Sequence, residues 1–316
     1  MGTEANKFKS PGGHREGIAP IERLRADFRV VGAVLRQRWL TFRSYPVAFY
    51  MWPLAFLMSF AAVMFMAKAF SAVPTGLDSP EASLVPPGPN AGIVTTETVG
   101  PSGAFPDFRP FLLVSTVLWT YIEGQLYLGF SVESEMKRGT AETVLATPAS
   151  RWAFLTGHAL FQFVRSTLNA FASVVFGVVF FGVPGVLGPN WVRTLCIFFL
   201  NLLLVYGYGL MLAGALVVVR SGFFSYAWDC LIPLLAGSTF SVSVLPPMLR
   251  KVALAIPLTH GLDLLRWSAA GYPTVLPPRM EAWVLGISAV LLPIMGHAVF
   301  KALERVARKR GTLGQF

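Results

Sequence analysis

The sequence predicts an all-α membrane protein with six transmembrane helices. Three observations carry this prediction. Of the 316 residues, 54% are hydrophobic and only 13% are charged, whereas soluble domains carry about 25% charged residues. The mean hydropathy is +0.59. The apolar residues are also gathered into stretches that are long enough to cross a bilayer as helices.

Each span needs about 20 mostly apolar residues, because a helix rises about 1.5 Å per residue and must satisfy its own backbone. The first such stretch follows a long polar segment, so it is not a cleavable signal peptide. An even number of spans puts both termini on the same side. The predicted spans are residues 46–70, 110–131, 153–182, 191–219, 225–245 and 281–300.

The basic residues indicate which side that is. Of the 26 Lys and Arg residues, 18 fall in the two tails and the connections on their side of the membrane. Because such an excess marks cytoplasmic segments, the sequence predicts a multi-pass protein of the cell membrane with cytoplasmic N- and C-termini. The net charge of +10 therefore reflects orientation, and no nucleic-acid surface is expected.

Residues 1–19 are predicted to be a disordered cytoplasmic tail, and residues 20–44 an amphipathic helix that Pro20 begins. This helix lies in the cytoplasmic headgroup layer or packs against a partner protein. Its apolar positions are Ile21, Leu24, Phe28, Val31, Leu35, Trp39 and Phe42.

Three connections have distinct compositions. The outer loop 71–108 contains seven prolines and no Lys or Arg, which is typical of a solvated cap, or of a surface for substrate release or a partner. The inner connection has Thr140 as an N-cap, Glu142 in the first turn and Pro148 at the end, which predicts a short cytoplasmic helix or a solvated loop.

Between spans five and six, two mostly apolar pieces of about ten residues flank Pro257. Neither is long enough to span, so they are predicted to lie in the outer leaflet or to re-enter it. A re-entrant segment is tolerated only where protein buries its backbone.

Two charges, Glu123 and Arg165, fall near mid-depth on adjacent spans. Burying one alone costs about 2.5–3.5 kcal/mol on insertion scales, so they are expected to pair or to face an aqueous or substrate path. Gly209 and Ala213 form a small-xxx-small pair suited to close helix packing. One face of span two suits either ordinary packing or a translocation path, and it carries Ser115, Trp119, Glu123, Tyr127 and Phe130.

The histidines are scattered, and Cys196 and Cys230 lack CxxC spacing, so no metal site is expected. The chain also lacks the GxxxxGK[ST] motif that cradles nucleotide phosphates. It is therefore not expected to be an enzyme or to hold ATP itself.

Two sets of motifs, about 100 residues apart, resemble those of the ABC-2 type permeases, the membrane subunits of ATP-binding-cassette exporters. The resemblance covers most of residues 20–305 and leaves 306–316 as a cytoplasmic tail. The inner set is Glu135, Gly139, Thr140, Glu142, Leu145, Thr147, Pro148 and Ser150. The outer set is Leu245, Pro246, Pro247, Leu249, Pro257, Leu258, Thr259 and Arg266.

The resemblance implies a coupling helix that contacts an ABC ATPase subunit. It also implies two copies of that subunit, which bind ATP and Mg, and a second permease chain that is identical or closely related. Span two would border the translocation path. The coupling residues would be Glu135, Arg138, Gly139, Thr140, Glu142, Leu145 and Pro148. The outer helices would carry Pro246, Pro247, Pro257, Thr259 and Arg266.

The function that follows is outward transport of a lipophilic drug-like, lipid or lipid-linked substrate, driven by ATP hydrolysis on the separate subunit. A permease for polysaccharide or glycolipid export is an alternative. Two other classes are an intramembrane lipid-modifying enzyme that uses Glu123 or His260, and a scaffold that anchors an ATPase. Substrate-stimulated ATP hydrolysis separates the exporters from both.

Overall fold

The computed structural model describes residues 20–72, 108–137, 151–183, 190–219 and 222–309. Over these ranges the chain forms nine α-helices and a short 3-10 turn, with no β-strand, so the all-α prediction is confirmed there. The helices are α1 Pro20–Ser44, α2 Pro46–Ala72, α3 Phe108–Lys137, α4 Arg151–Phe181, α5 Trp191–Val219, α6 Gly222–Ala236, α7 Pro247–Ala255, α8 Pro257–Ala270 and α9 Pro278–Lys309.

Four of these helices are long and apolar enough to cross a membrane. Their apolar segments are Phe108–Phe130, Ala153–Phe181, Trp191–Leu216 and Pro278–Leu303, which match predicted spans two, three, four and six. Helix α2 covers the first predicted span, but its apolar segment, Pro53–Met66, is shorter. The count of six spans therefore stays a prediction.

The fifth predicted span, residues 225–245, is not one continuous helix. Helix α6 ends at Ala236, and Gly237 follows with a φ of +68°. Its 15 residues rise only about 22 Å, less than the about 30 Å of a bilayer core. A 3-10 turn, Val242–Val244, comes next with Ser241 as its N-cap. The prediction extended too far because hydropathy registers apolar residues and not the glycine and hydroxyl residues that end helices.

Helix α3 lies at the centre of the fold, between α4 and α5. Two side-chain hydrogen bonds join it to α4: Ser166 Oγ donates to the Thr120 carbonyl at 2.7 Å, and the Tyr121 hydroxyl donates to Thr167 Oγ1 at 3.0 Å. On its other side, α3 shares the main hydrophobic core with α5, α8 and α9. The fully buried leucines of that core are Leu118, Leu204, Leu262 and Leu285.

Small residues set the closest helix contacts. The predicted small-xxx-small pair is confirmed, because Gly209 and Ala213 both pack against α3. A Cβ added at Gly209 would lie 3.0 Å from the Gln125 carbonyl oxygen. Helices α5 and α9 approach just as closely at Gly207 and Gly296, where a Cβ on Gly296 would lie 2.6 Å from the Gly207 carbonyl oxygen.

The amphipathic α1 forms as predicted, but its apolar stripe divides between two environments. Its second half packs against α4, where Val34 is buried and the Phe42 ring lies 6.0 Å from that of Phe161. Three apolar residues of its first half, Ile21, Leu24 and Phe28, are exposed, and Phe28 is 73% exposed. That half lies on the surface of the protein. Its position in the headgroup layer stays a prediction.

The two short helices predicted around Pro257 are confirmed as α7 and α8. Eleven of the 14 residues of α8 are buried, so protein surrounds its backbone as a re-entrant segment requires. In contrast, α7 buries only Ala253 among its nine residues and exposes Met248 and Val252. Helix α7 therefore lies on the surface, and α8 lies inside the protein.

Candidate functional site

A buried arginine on α8 contacts α3 and the residues that follow α6. Arg266 on α8 is 1% exposed, and its Nε donates a hydrogen bond to Ser115 Oγ on α3 at 2.8 Å. Its Nη2 donates to the carbonyl oxygens of Gly237 and Ser238 at 2.6 and 2.9 Å. These carbonyls lie just beyond the end of α6, where no further helical turn can satisfy them. Arg266 therefore stabilises the point at which α6 ends.

The charge of Arg266 is balanced within α8. Its Nη1 lies 3.3 Å from Asp263 Oδ1, and its guanidinium lies 3.7 Å from the centre of the Phe111 ring. Burial lowers the pKa of Arg266 to about 10, so the guanidinium stays charged at neutral pH. Burial raises the pKa of Asp263 to about 6, although Arg266 opposes that shift. The pair is an internal ion pair, which makes removal of one partner costly.

His260 and Glu281 extend this group into the ionic cluster, which we define as His260, Asp263, Arg266 and Glu281. His260 Nδ1 lies 3.7 Å from Glu281 Oε1, and its Nε2 lies 3.0 Å from the Leu254 carbonyl oxygen. The Glu281 carboxylate raises the pKa of His260. Glu281 is 0% exposed and accepts a hydrogen bond from the Leu276 amide at 3.0 Å. The cluster therefore ties α8 to the start of α9.

The predicted outer-helix residues begin and join the two short helices. Pro246 is the N-cap residue of α7, Pro247 begins that helix, and Pro257 begins α8. Proline suits these positions because the first amides of a helix have no helical partner. Thr259 Oγ1 donates to the Ala253 carbonyl at 2.8 Å, which fixes the end of α7 against α8.

The residues on the predicted face of span two contact three different parts of the structure. Ser115 contacts Arg266, and Trp119 packs against the main hydrophobic core. Glu123 and Tyr127 both interact electrostatically with Arg165, and the predicted direct pairing of Glu123 with Arg165 stays a prediction. Because α3 is central in this chain, its face is largely occupied by neighbouring helices. A path along it stays a prediction.

A second polar site lies between α1, α3 and α4. We call it the basic cavity, and its volume is about 260 Å³. On its α1 side, Arg38 lies with Nε 2.9 Å and Nη2 2.6 Å from His158 Nε2. On the opposite side, the Arg165 guanidinium lies 5.2 Å from the centre of the Tyr127 ring. The lining residues are Arg38, Tyr127, Phe130, His158, Phe161, Gln162 and Arg165.

The predicted coupling helix cannot be compared with the structure. Glu135 lies near the end of α3, and its side chain is not among those described. Arg138, Gly139, Thr140, Glu142, Leu145 and Pro148 all lie outside the described residues.

The sequence analysis named Arg266 and His260, but it did not predict the ionic cluster that they form with Asp263 and Glu281. One signal was available: Asp263 precedes Arg266 by three residues in an apolar stretch, and this spacing places opposite charges together on a helix. Glu281 offered no comparable signal, because an acid in the first turn of α9 is the ordinary complement of the helix dipole. The basic cavity could not be predicted either, since its residues come from three separate helices.

Within the described ranges, no group of three or more His, Cys, Asp or Glu side chains is arranged to hold a metal ion. No protein-family model matches the chain, and no curated protein is similar to it in sequence.

Proposed function

We propose that this chain is the membrane-spanning permease subunit of an ABC-2 type exporter. The observation that carries the proposal is the arrangement of the helices that follow the early end of α6. There, a surface helix and a buried helix, α7 and α8, precede the last apolar helix. The resemblance to ABC-2 type permeases predicts this order of helices. Arg266, a residue of the outer motif, also contributes to the packing of α8 on α3. The four helices long enough to span a membrane also support it.

In this proposal, ATP binding closes two partner ATPase subunits against each other. The coupling helix around Gly139–Pro148 transmits that movement to the spans. The spans then alternate between inward-open and outward-open arrangements, because the ligand bound on the partner favours one of two states. A lipophilic drug-like, lipid or lipid-linked molecule moves outward as they do so. The second permease chain completes the path.

The first test is physical association with an ATPase. Some ABC ATPase subunits lack a membrane domain of their own. We expect the full chain to co-purify with a subunit of this kind that is encoded in the same genome. Glu142→Lys reverses the charge in the first turn of the coupling helix, and Gly139→Pro removes a backbone donor and restricts φ. Each is expected to reduce the co-purified ATPase by about tenfold, as quantified on gels.

Glu97→Lys is the matched control, because it makes the same charge reversal in the predicted outer loop and should retain the ATPase fully. If the wild-type chain associates with none of these subunits, the exporter proposal fails. If it does associate and both coupling variants retain the ATPase, only the coupling-helix assignment is wrong.

A further inference from the structure

The basic cavity is lined by groups that recognise an anion. Arg38 and Arg165 contribute two guanidinium groups from different helices, and none of the seven lining residues is acidic. Glu123 lies close enough to interact with Arg165, so one carboxylate and two guanidinium groups lie in this region of the described structure. Guanidinium groups bind phosphate through short charge-assisted hydrogen bonds and are only weakly hydrated.

The orientation of Arg38 is fixed by His158. His158 Nδ1 lies 3.0 Å from the Phe154 carbonyl oxygen, one turn earlier in α4. A carbonyl only accepts, so Nδ1 must carry the proton and Nε2 is left to accept from Arg38. His158 is therefore a neutral positioning residue, and the positive charge of this pair stays on the guanidinium.

Gln162 provides a separate indication of a ligand. It is 5% exposed and lines the cavity, and its Oε1 has no hydrogen-bond partner among the described residues. Leaving a buried amide group unsatisfied costs free energy. By rotation of the amide, Gln162 can offer a ligand either an acceptor or two donors. It therefore suits a phosphate oxygen or a neighbouring hydroxyl group.

The position and walls of the cavity suit an amphiphile. His158 and Arg165 lie about 8 and 18 Å along α4 from Ala153, where its apolar segment begins. On the predicted topology this is the cytoplasmic side. The remaining lining residues are the aromatic Tyr127, Phe130 and Phe161. A volume of about 260 Å³ is smaller than most small-molecule sites, so it fits a headgroup and not a whole lipid.

We propose that the basic cavity binds the phosphate group of an anionic lipid from the cytoplasmic leaflet, with Arg38, Arg165 and Gln162 as its ligands. The aromatic walls contact the carbon atoms next to the phosphate, while the acyl chains remain in the bilayer. Binding is a property of this chain alone and needs no ATPase. It can therefore fail or succeed independently of the proposed transport.

The test is lipid binding to the full-length chain in detergent micelles, measured by native mass spectrometry and by microscale thermophoresis. We expect phosphatidic acid to bind at least about tenfold more tightly than phosphatidylcholine, and its affinity to fall as salt screens the charges. Inorganic phosphate alone is expected to bind weakly and to compete poorly. Arg38→Gln and Gln162→Leu should each weaken phosphatidic acid binding, and Arg38→Gln by about tenfold.

Arg279→Gln is the matched control, because Arg279 lies at the exposed start of α9 and should leave the affinity unchanged. Thermal unfolding of each variant establishes that it is folded. Equal affinity for the two lipids, or unchanged affinity in both Arg38→Gln and Gln162→Leu, would overturn the proposal. Equally tight binding of inorganic phosphate would overturn the assignment to a lipid.

Discussion

Replacing Arg266 with alanine is expected to destabilise the protein by about 3–5 kcal/mol, the usual cost of removing one partner from a buried ion pair. The substitution removes the donors to Ser115, Gly237 and Ser238. It also leaves the Asp263 carboxylate buried without its partner. We expect a large drop in the thermal unfolding midpoint in detergent, together with a smaller monodisperse fraction in size-exclusion chromatography.

Two further variants show whether the charge of Arg266 or the geometry of its guanidinium group stabilises the protein. Arg266→Lys keeps the charge but cannot reach the three partners as a planar fork, so an intermediate loss is expected. Arg279→Ala removes an exposed arginine and should have little effect. If Arg266→Ala is as stable as Arg279→Ala, Arg266 does not hold α6, α3 and α8 together.

Replacing Gly207 with valine is expected to have the second large effect. Its added Cβ would lie 2.5 Å from the Leu292 carbonyl carbon and 2.6 Å from the Pro293 nitrogen. Both atoms belong to the backbone of α9, so no side-chain rotation relieves the clash and the two helices must separate. Overpacking of a core typically costs about 1–3 kcal/mol. We expect the upper end of that range here, measured as a fall in the thermal unfolding midpoint.

Gly286→Ala provides the control within the same helix pair. Gly286 lies in α9, and an added Cβ there would meet nothing within 4 Å. Alanine also favours the helix by about 1 kcal/mol relative to glycine, so this variant should be as stable as the wild type or more stable. If Gly207→Val matches it, the close approach of α5 and α9 is not a packing requirement.

The sequence predicted most of the helices because long apolar stretches and helix-starting prolines act locally. Pro257 illustrates this: it separates two apolar pieces, and α8 begins at that residue. The pair Gly209 and Ala213 was predictable for the same reason, since spacing along one helix places both on one face.

The end of α6 at Ala236 was missed because hydropathy does not register the glycine and hydroxyl residues that follow it, Gly237, Ser238 and Thr239. What makes this helix end tolerable is the contact of Arg266 with two carbonyls about 30 residues earlier in the sequence. The basic cavity illustrates the same limit, since Arg38 and His158 are 120 residues apart. Contacts of this kind depend on helix packing, which apolar spacing along one helix does not determine.

We propose that this chain couples transport to ATP hydrolysis on a separate subunit. The most direct measurement reconstitutes the full chain with its ABC ATPase in proteoliposomes made from a lipid extract of the source cells. ATP hydrolysis is then compared with that of the ATPase alone and of the chain alone. We predict no hydrolysis by the chain alone and a several-fold increase when both are present, which Glu142→Lys abolishes. An ATPase rate that the chain does not change would contradict this proposal.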